Sequence, residues 1–242
     1  SFVQLQASFA ALETANEELE HRVAERTAAL SLEKEKSEQL LLNILPKPIA
    51  DQLKQSKGAI AESFEETTIL FADIVGFTLL SERLTPQELV NLLNQIFSAF
   101  DQLAEKYDLE KIKTIGDAYM VVGGLPIPRS DHAEAVAEMA LEMQAYMANF
   151  SDELGESFQI RVGIHTGAVI AGVIGIKKFI YDLWGDAVNV ASRMESHGIP
   201  GSIQMTATTY EYLKDKYVLE ARGNIYVKGK GEMTTYWLIS KK

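Results

Sequence analysis

The sequence predicts an α+β domain with a largely antiparallel sheet, preceded by one long helix. Three observations lead there. Residues 1–45 are free of Gly and Pro and rich in helix formers; from about residue 62 short apolar runs alternate with amphipathic helical segments; and Gly-centred turns join neighbouring strand-like runs as hairpins.

Between Ser1 and Leu45 Glu, Ala, Leu, Lys and Gln dominate, so one continuous helix is expected. Apolar residues recur in steps of three and four at Phe2, Leu5, Phe9, Leu12, Leu19 and Val23, with Asn16 in the polar slot of the seam. That spacing predicts a parallel two-stranded coiled coil, because two buried Asn side chains satisfy each other only when the helices are aligned. Arg26 and Glu33 interrupt the seam while Leu30 and Ile44 keep its spacing, so a register defect is expected beyond Val23. An amphipathic helix packed on its own domain is the other arrangement the pattern allows.

Pro46 and Pro48 stop this helix, and residues 46–61 read as a linker with a short helix over 49–55 and a turn at Ser56, Lys57 and Gly58. The globular domain is expected over 62–242. Thr67 to Ala72 suits a buried strand, and Pro86 to Tyr107 a helix with Leu89, Leu92, Leu93, Ile96, Phe97 and Phe100 on one face. Lys111 to Gly123 reads as a hairpin turning at Gly116 and Asp117, and Asp131 to Phe150 as a second amphipathic helix. Phe158 to Gly175 reads as an apolar strand followed by glycine-punctuated turns. Ala187 to His197 is expected to be helical, Ser202 to Met205 a strand, and Tyr226 to Ile239 a hairpin tipped by Lys228-Gly229-Lys230-Gly231.

At 47% hydrophobic and 24% charged, the 242-residue chain has ordinary globular composition with enough apolar residues for a core. Its 23 Lys and Arg against 34 Asp and Glu leave a formal charge of −11, which opposes binding to nucleic acid or an anionic membrane surface. A few cations focused in one cleft can still hold a small polyphosphate. The absence of Cys excludes disulfides, thiolate metal ligands and cysteine nucleophiles, and it suits a reducing compartment, so a cytoplasmic location is expected. No run reaches the length of a membrane span, and no membrane segment is expected in this chain. The start at Ser1, within a helix, leads us to expect a longer polypeptide with a sensor upstream.

Four segments hold candidate chemistry. In Phe71-Ala72-Asp73-Ile74-Val75-Gly76-Phe77-Thr78 an Asp ends an apolar strand; it suits a Mg²⁺ ligand and equally a cap on the following turn. In Lys113-Thr114-Ile115-Gly116-Asp117 a second Asp sits at a hairpin tip, and two carboxylates on neighbouring strand ends could share metal ions. In the segment Tyr181 to Arg193, Asn189 and Arg193 are four apart and so lie on one helical face; pairing these two polar residues among Val188, Val190, Ala191 and Met194 points to a hydrogen-bonding task. The Lys228-Gly229-Lys230-Gly231 tip offers point charges to phosphates, or is simply solvated. His21, His132, His165 and His197 show no metal-ligand spacing.

In this order, the four segments resemble the class III nucleotidyl cyclases, the family of adenylyl and guanylyl cyclases, from about Glu62 to the C-terminus. The preceding helix, with Leu19-Glu20-His21-Arg22-Val23-Ala24-Glu25-Arg26-Thr27, is similar to the dimeric signalling helices that join sensors to bacterial output domains. The resemblance implies a ferredoxin-like βαββαβ core with additions, and a head-to-tail homodimer whose sites are shared between subunits. It implies Asp73, Asp117 and the carbonyl of Ile74 as ligands of two Mg²⁺ per site, with Mn²⁺ a possible substitute, and Phe77 and Thr78 as lining of that half-site. From the other subunit it implies that Asn189 orients the ribose, Arg193 stabilises charge on the α-phosphate and Lys228 binds the terminal phosphate. On the metal-bearing side, Lys177 stands where relatives often carry a basic residue, commonly Arg.

Base choice follows from hydrogen-bonding chemistry. Adenine presents an acceptor at N1 and a donor at N6, guanine the reverse; Lys113 can only donate and the Asp182 carboxylate can only accept. The resemblance gives guanylyl cyclases Glu and Cys or Ser at these positions, so ATP is the expected substrate and 3′,5′-cyclic AMP the product. A guanylyl cyclase is the near alternative and an inert dimeric signalling module the distant one.

Overall fold

The computed structural model describes residues 2–55, 58–154, 157–175 and 178–242. Backbone proximity divides the chain into residues 1–51 and 52–242. The first unit carries α1 (Phe2–Leu42), a single helix as its composition predicts. Its seam residues face solvent in the single chain, from Val23 at 55% exposed to Phe2 at 76%. Asn16 meets its hydrogen-bonding need within the same helix, Nδ2 donating to Glu20 Oε1 at 3.1 Å. The helix α2 (Lys47–Gln55) follows Pro46. Among the described residues no helix is long and apolar enough to cross a membrane.

The second unit contains, in order, β1 (Ile60–Ile74), α3 (Phe77–Arg83), α4 (Pro86–Lys106), β2 (Glu110–Ile115), β3 (Ala118–Gly123), α5 (His132–Leu154) and β4 (Ile160–Val173). It continues with β5 (Tyr181–Trp184), α6 (Asp186–Ser196), β6 (Ile203–Thr206), α7 (Ala207–Leu213), β7 (Tyr217–Val227) and β8 (Gly231–Lys241). The eight-stranded sheet runs β2-β3-β1-β4-β6-β8-β7, with β5 laid on β4. Its pairs are antiparallel except β4 with β6. Helices α4 and α5 cover the β1–β3 region with Ile96, Phe100, Val136, Met139 and Met143, none more than 1% exposed. Helix α4 starts where Pro86 suggests, because Thr85 and Glu88 form a reciprocal capping box around a Pro in the first turn.

The glycine-punctuated turns expected before Gly175 are absent, and Gly163, Gly167 and Gly172 lie inside the strand β4. They are glycines of close approach, not of turning. A Cβ on Gly163 would stand 1.9 Å from the backbone N of Glu195 on α6, and one on Gly172 would stand 1.9 Å from the carbonyl O of Ile60 on β1. Helix α6 therefore sits directly on the β4 backbone. Gly163→Ala should drive the two apart and lower unfolding stability by about 3 kcal/mol, the upper part of the usual overpacking cost. Chemical denaturation checks this, and a loss below about 1 kcal/mol would mean that α6 yields locally.

The short helices α3 and α7 carry too few turns to show periodicity. Strand β7 starts at Tyr217, earlier than the expected Tyr226, and a bulge at Arg222 interrupts its alternation. Strand β1 likewise extends past both ends of Thr67 to Ala72, with a register shift between Phe64 and Thr67. A chain of buried hydroxyls gives most of the polar groups beneath the sheet a partner, though His132 Nε2 has none among the described residues. Thr68 Oγ1 lies 2.7 Å from His132 Nδ1 and 2.8 Å from Thr166 Oγ1, and Thr166 Oγ1 lies 3.0 Å from Thr209 Oγ1. Burial lowers the pKa of His132, which favours its neutral form.

Candidate active site

Strand β1 delivers Asp73 to its C-terminal end, beside the β2–β3 turn that carries Asp117; Asp73 pairs with Ala118, the residue after Asp117. Gly116, at a φ of 61°, lets the chain turn there. The two carboxyls are close enough to interact: burial first, then the hydrogen-bonded Asp73, push Asp117 up to about 6. Ile74 is the buried last residue of β1. Phe77 and Thr78 open α3, Phe77 packed against the core and Thr78 exposed.

Among the described residues no group of three or more His, Cys, Asp or Glu is placed to hold a metal unaided. The Asp73–Asp117 pair fits a hard divalent cation of the kind that takes one or two carboxylates and completes its shell from substrate phosphates and water.

Lys113 and Asp182 come from segments 69 residues apart, yet Lys113 Nζ donates to Asp182 Oδ2 at 2.5 Å. The other carboxylate oxygen accepts from the Leu183 backbone N–H at 2.8 Å, which fixes the plane of the group. Both side chains remain partly accessible, 32% for Lys113 and 22% for Asp182. A donor and an acceptor thus stand together at the edge of the sheet.

Helix α6 buries Ala187, Val190, Ala191, Met194 and Glu195 and exposes Asn189 and Arg193 in the single chain. With Asp186, Lys228 and Lys230 they line an open cavity of about 370 Å³. Lys230 and Asp186 form an ion pair at its rim. Three cations converge there, which suits a phosphate chain. A larger cavity of about 590 Å³, lined by residues including Glu62, Glu65, Glu66 and Arg129, holds none of the expected site residues.

Two residues escaped the sequence reading. Arg161 on β4 bonds Asp73 Oδ2 through Nη2 at 2.8 Å and Glu195 Oε1 through Nε at 3.1 Å. Burial, then the charge of Asp73, raises Glu195 to about 7. Arg161 is the one charged residue of β4, whereas Glu195 lies among other polar residues of α6 and gave no signal. The expected Lys177, and Ser56 and Lys57 of the expected turn, lie outside the described residues.

Residues 59–240 match the adenylate and guanylate cyclase catalytic domain family. An adenylate cyclase of Mycobacterium tuberculosis (strain ATCC 25618 / H37Rv) is 50% identical over 220 residues, covering 90% of this chain and 50% of the relative. The guanylate cyclase soluble subunit beta-2 of Rattus norvegicus is 50% identical over 212 residues, covering 87% of this chain and 31% of the relative. Among solved structures, the guanylate cyclase domain of RhGC from Catenaria anguillulae in complex with GTP superposes with a TM-score of 0.72 at 38% identity, covering 75% of this chain and all of that one. The chain belongs to the class III nucleotidyl cyclase family. It spans about half of the mycobacterial relative and about a third of the rat one.

Proposed function

We propose that the chain is an adenylate cyclase that converts ATP to 3′,5′-cyclic AMP and pyrophosphate at sites shared by two copies. The observation that carries the substrate assignment is the Lys113–Asp182 pair, a donor-only group beside an acceptor-only one. Lys113 would donate to adenine N1 and Asp182 would accept from the N6 amine. Against guanine the same two groups meet a donor and an acceptor of the wrong sense, a mismatch of the kind that costs about 10⁴-fold in a site built on hydrogen bonds.

The need for a second copy follows from α6. Glu195 faces inward to Arg161 and thus to Asp73, while Arg193, two residues earlier, points about 200° further round the helix. One helix face cannot serve both halves, so Asn189 and Arg193 meet the Asp73 and Asp117 of a head-to-tail partner. The exposed seam of α1 fits a parallel coiled coil that would hold the two copies together. Strand order β2-β3-β1-β4 with α4 and α5 on one face supports the ferredoxin-like reading of the core.

In this reading Arg193 brings a guanidinium to the α-phosphate where charge develops, Asn189 orients the ribose, and Lys228, with Lys177, neutralises the phosphates. Phe77 and Thr78 line the opposite wall. Two Mg²⁺ or Mn²⁺ ions held by Asp73, Asp117 and the Ile74 carbonyl would supply Lewis-acid stabilisation of the 3′-oxygen and the leaving pyrophosphate. The chain's own groups set distance and alignment, which is most of what phosphoryl transfer requires.

The test is turnover of ATP and GTP by the purified chain with Mg²⁺ or Mn²⁺. The expected kcat/KM ratio favours ATP by about 10⁴-fold, and Lys113→Glu with Asp182→Cys should reverse the preference. A native preference for GTP would assign a guanylate cyclase instead. No product from either nucleotide, at concentrations where the chain is dimeric, would support the signalling-module reading.

A further inference from the structure

The helix α6, which exposes Asn189 and Arg193, ends in a clamp made by side chains of β6 and β7. A helix leaves the carbonyls of its last turn without intrahelical partners. Here the Arg193 carbonyl accepts from the His197 backbone N–H, and the Glu195 carbonyl from that of Gly198. The Met194 carbonyl accepts from Gln204 Nε2 at 2.9 Å, and the His197 carbonyl from Arg222 Nη1. Gln204 is fully buried on β6, and its amide oxygen accepts from the same Arg222 nitrogen, so one network ties both carbonyls.

Arg222 reaches this point because β7 bulges there. Ala221 pairs with Tyr236 and Gly223 with Thr235, so the register skips Arg222. A bulge re-aims its side chain. This one lays the guanidinium over the Trp237 ring, 4.8 Å from its centre, beside Gln204, the residue paired with Trp237. The cation also meets the negative end of the α6 dipole. Arg222 does not line the cavity that holds Asn189, Arg193 and Lys228.

We infer that Arg222 is a positioning residue for α6, fixing the height and rotation of the helix that presents Asn189 and Arg193 to the other copy. His197 lies about one turn beyond Arg193, so a shift of the clamped end passes directly to the Arg193 side chain. A misplacement of about 1 Å can cost on the order of 100-fold in rate. The inference rests on the reading that α6 of one copy completes the site of the other.

The experiment starts from Arg222→Met, which keeps an apolar stem over Trp237 and removes the donors. It should lower kcat about 10- to 100-fold with little change in KM. Arg222→Lys, which keeps the charge and a donor, should recover part of the loss, and it carries the test if Arg222→Met fails to fold. Mixing chains then separates positioning of α6 from a general loosening of the domain. With an equal amount of Asp73→Ala chain, an Arg222→Met chain contributes sound aspartates to a sound α6, and activity should rise to about a quarter of native. With an Arg193→Ala chain, the only unmutated aspartates facing an Arg193 meet the displaced helix, and activity should stay no higher than that of Arg222→Met alone. Native kcat in Arg222→Met, equal recovery in both mixtures, recovery only with Arg193→Ala, or recovery in neither would overturn the inference, provided that Asp73→Ala and Arg193→Ala complement each other. If those two do not complement, the shared-site reading itself falls and the inference with it.

Discussion

Asp73→Ala is expected to lower cyclase turnover by roughly 10³-fold or more while leaving the fold intact. The magnitude follows from losing several kcal/mol of charge stabilisation at the reacting oxygens, at about 1.4 kcal/mol per decade of rate. The fold should survive because Asp73 sits at a strand end, with its side chain 18% exposed and its main contact the Arg161 guanidinium. Cyclic nucleotide formation measured beside the unfolding midpoint checks both halves, and turnover within about tenfold of native would remove Asp73 from the machinery. The same site should respond to acid. Burial and the neighbouring Asp73 push Asp117 up to about 6, and a proton would compete with a cation for that carboxylate. The metal concentration for half-maximal activity should therefore climb as pH falls below 6 and level off above it.

Arg193→Ala should reduce kcat by about 10³-fold with little change in KM, since a phosphate-directed guanidinium acts chiefly where charge develops in the transition state. A change confined to KM would assign Arg193 to ground-state binding. The decisive form of the test mixes two inactive chains. An Asp73→Ala chain still offers a sound α6, and an Arg193→Ala chain still offers sound aspartates. Their heterodimer builds one site from two intact halves and one from two damaged halves. Random pairing of equal amounts should recover about a quarter of native activity. No recovery, with dimers demonstrated, would mean that each chain completes its own site.

The residues of the proposed site mark themselves in the sequence. Asp73 ends an apolar run, Asp117 follows a turn glycine, and Asn189 and Arg193 repeat at helical spacing, so each stands out from its local pattern. Arg161 and Glu195 do not, because their partners are set by strand register and by helix packing across 34 and 88 residues of sequence. The glycines of β4 were misread for a related reason. Gly163 is there because α6 passes over it, and a sequence shows the missing side chain but not the neighbour that excludes it. The α6 polar pair was read among buried residues, yet the single chain leaves Asn189 and Arg193 exposed. The apolar residues around them lie on the other face of the helix.

The buried hydroxyl chain of Thr68, Thr166 and Thr209 has one more effect. Long antiparallel strands such as β1 and β4 can slide by a step, and such slippage turns every side chain to the wrong face. Thr68 and Thr166 stand opposite each other in the β1–β4 register, so a one-residue slip would part their hydroxyls and take Thr166 away from Thr209. Misaligned pairings are thereby selected against before any substrate arrives. Only the surviving alignment sets Arg161 across from Asp73. A polar thread in the core thus favours the alignment that places the Asp73 carboxylate.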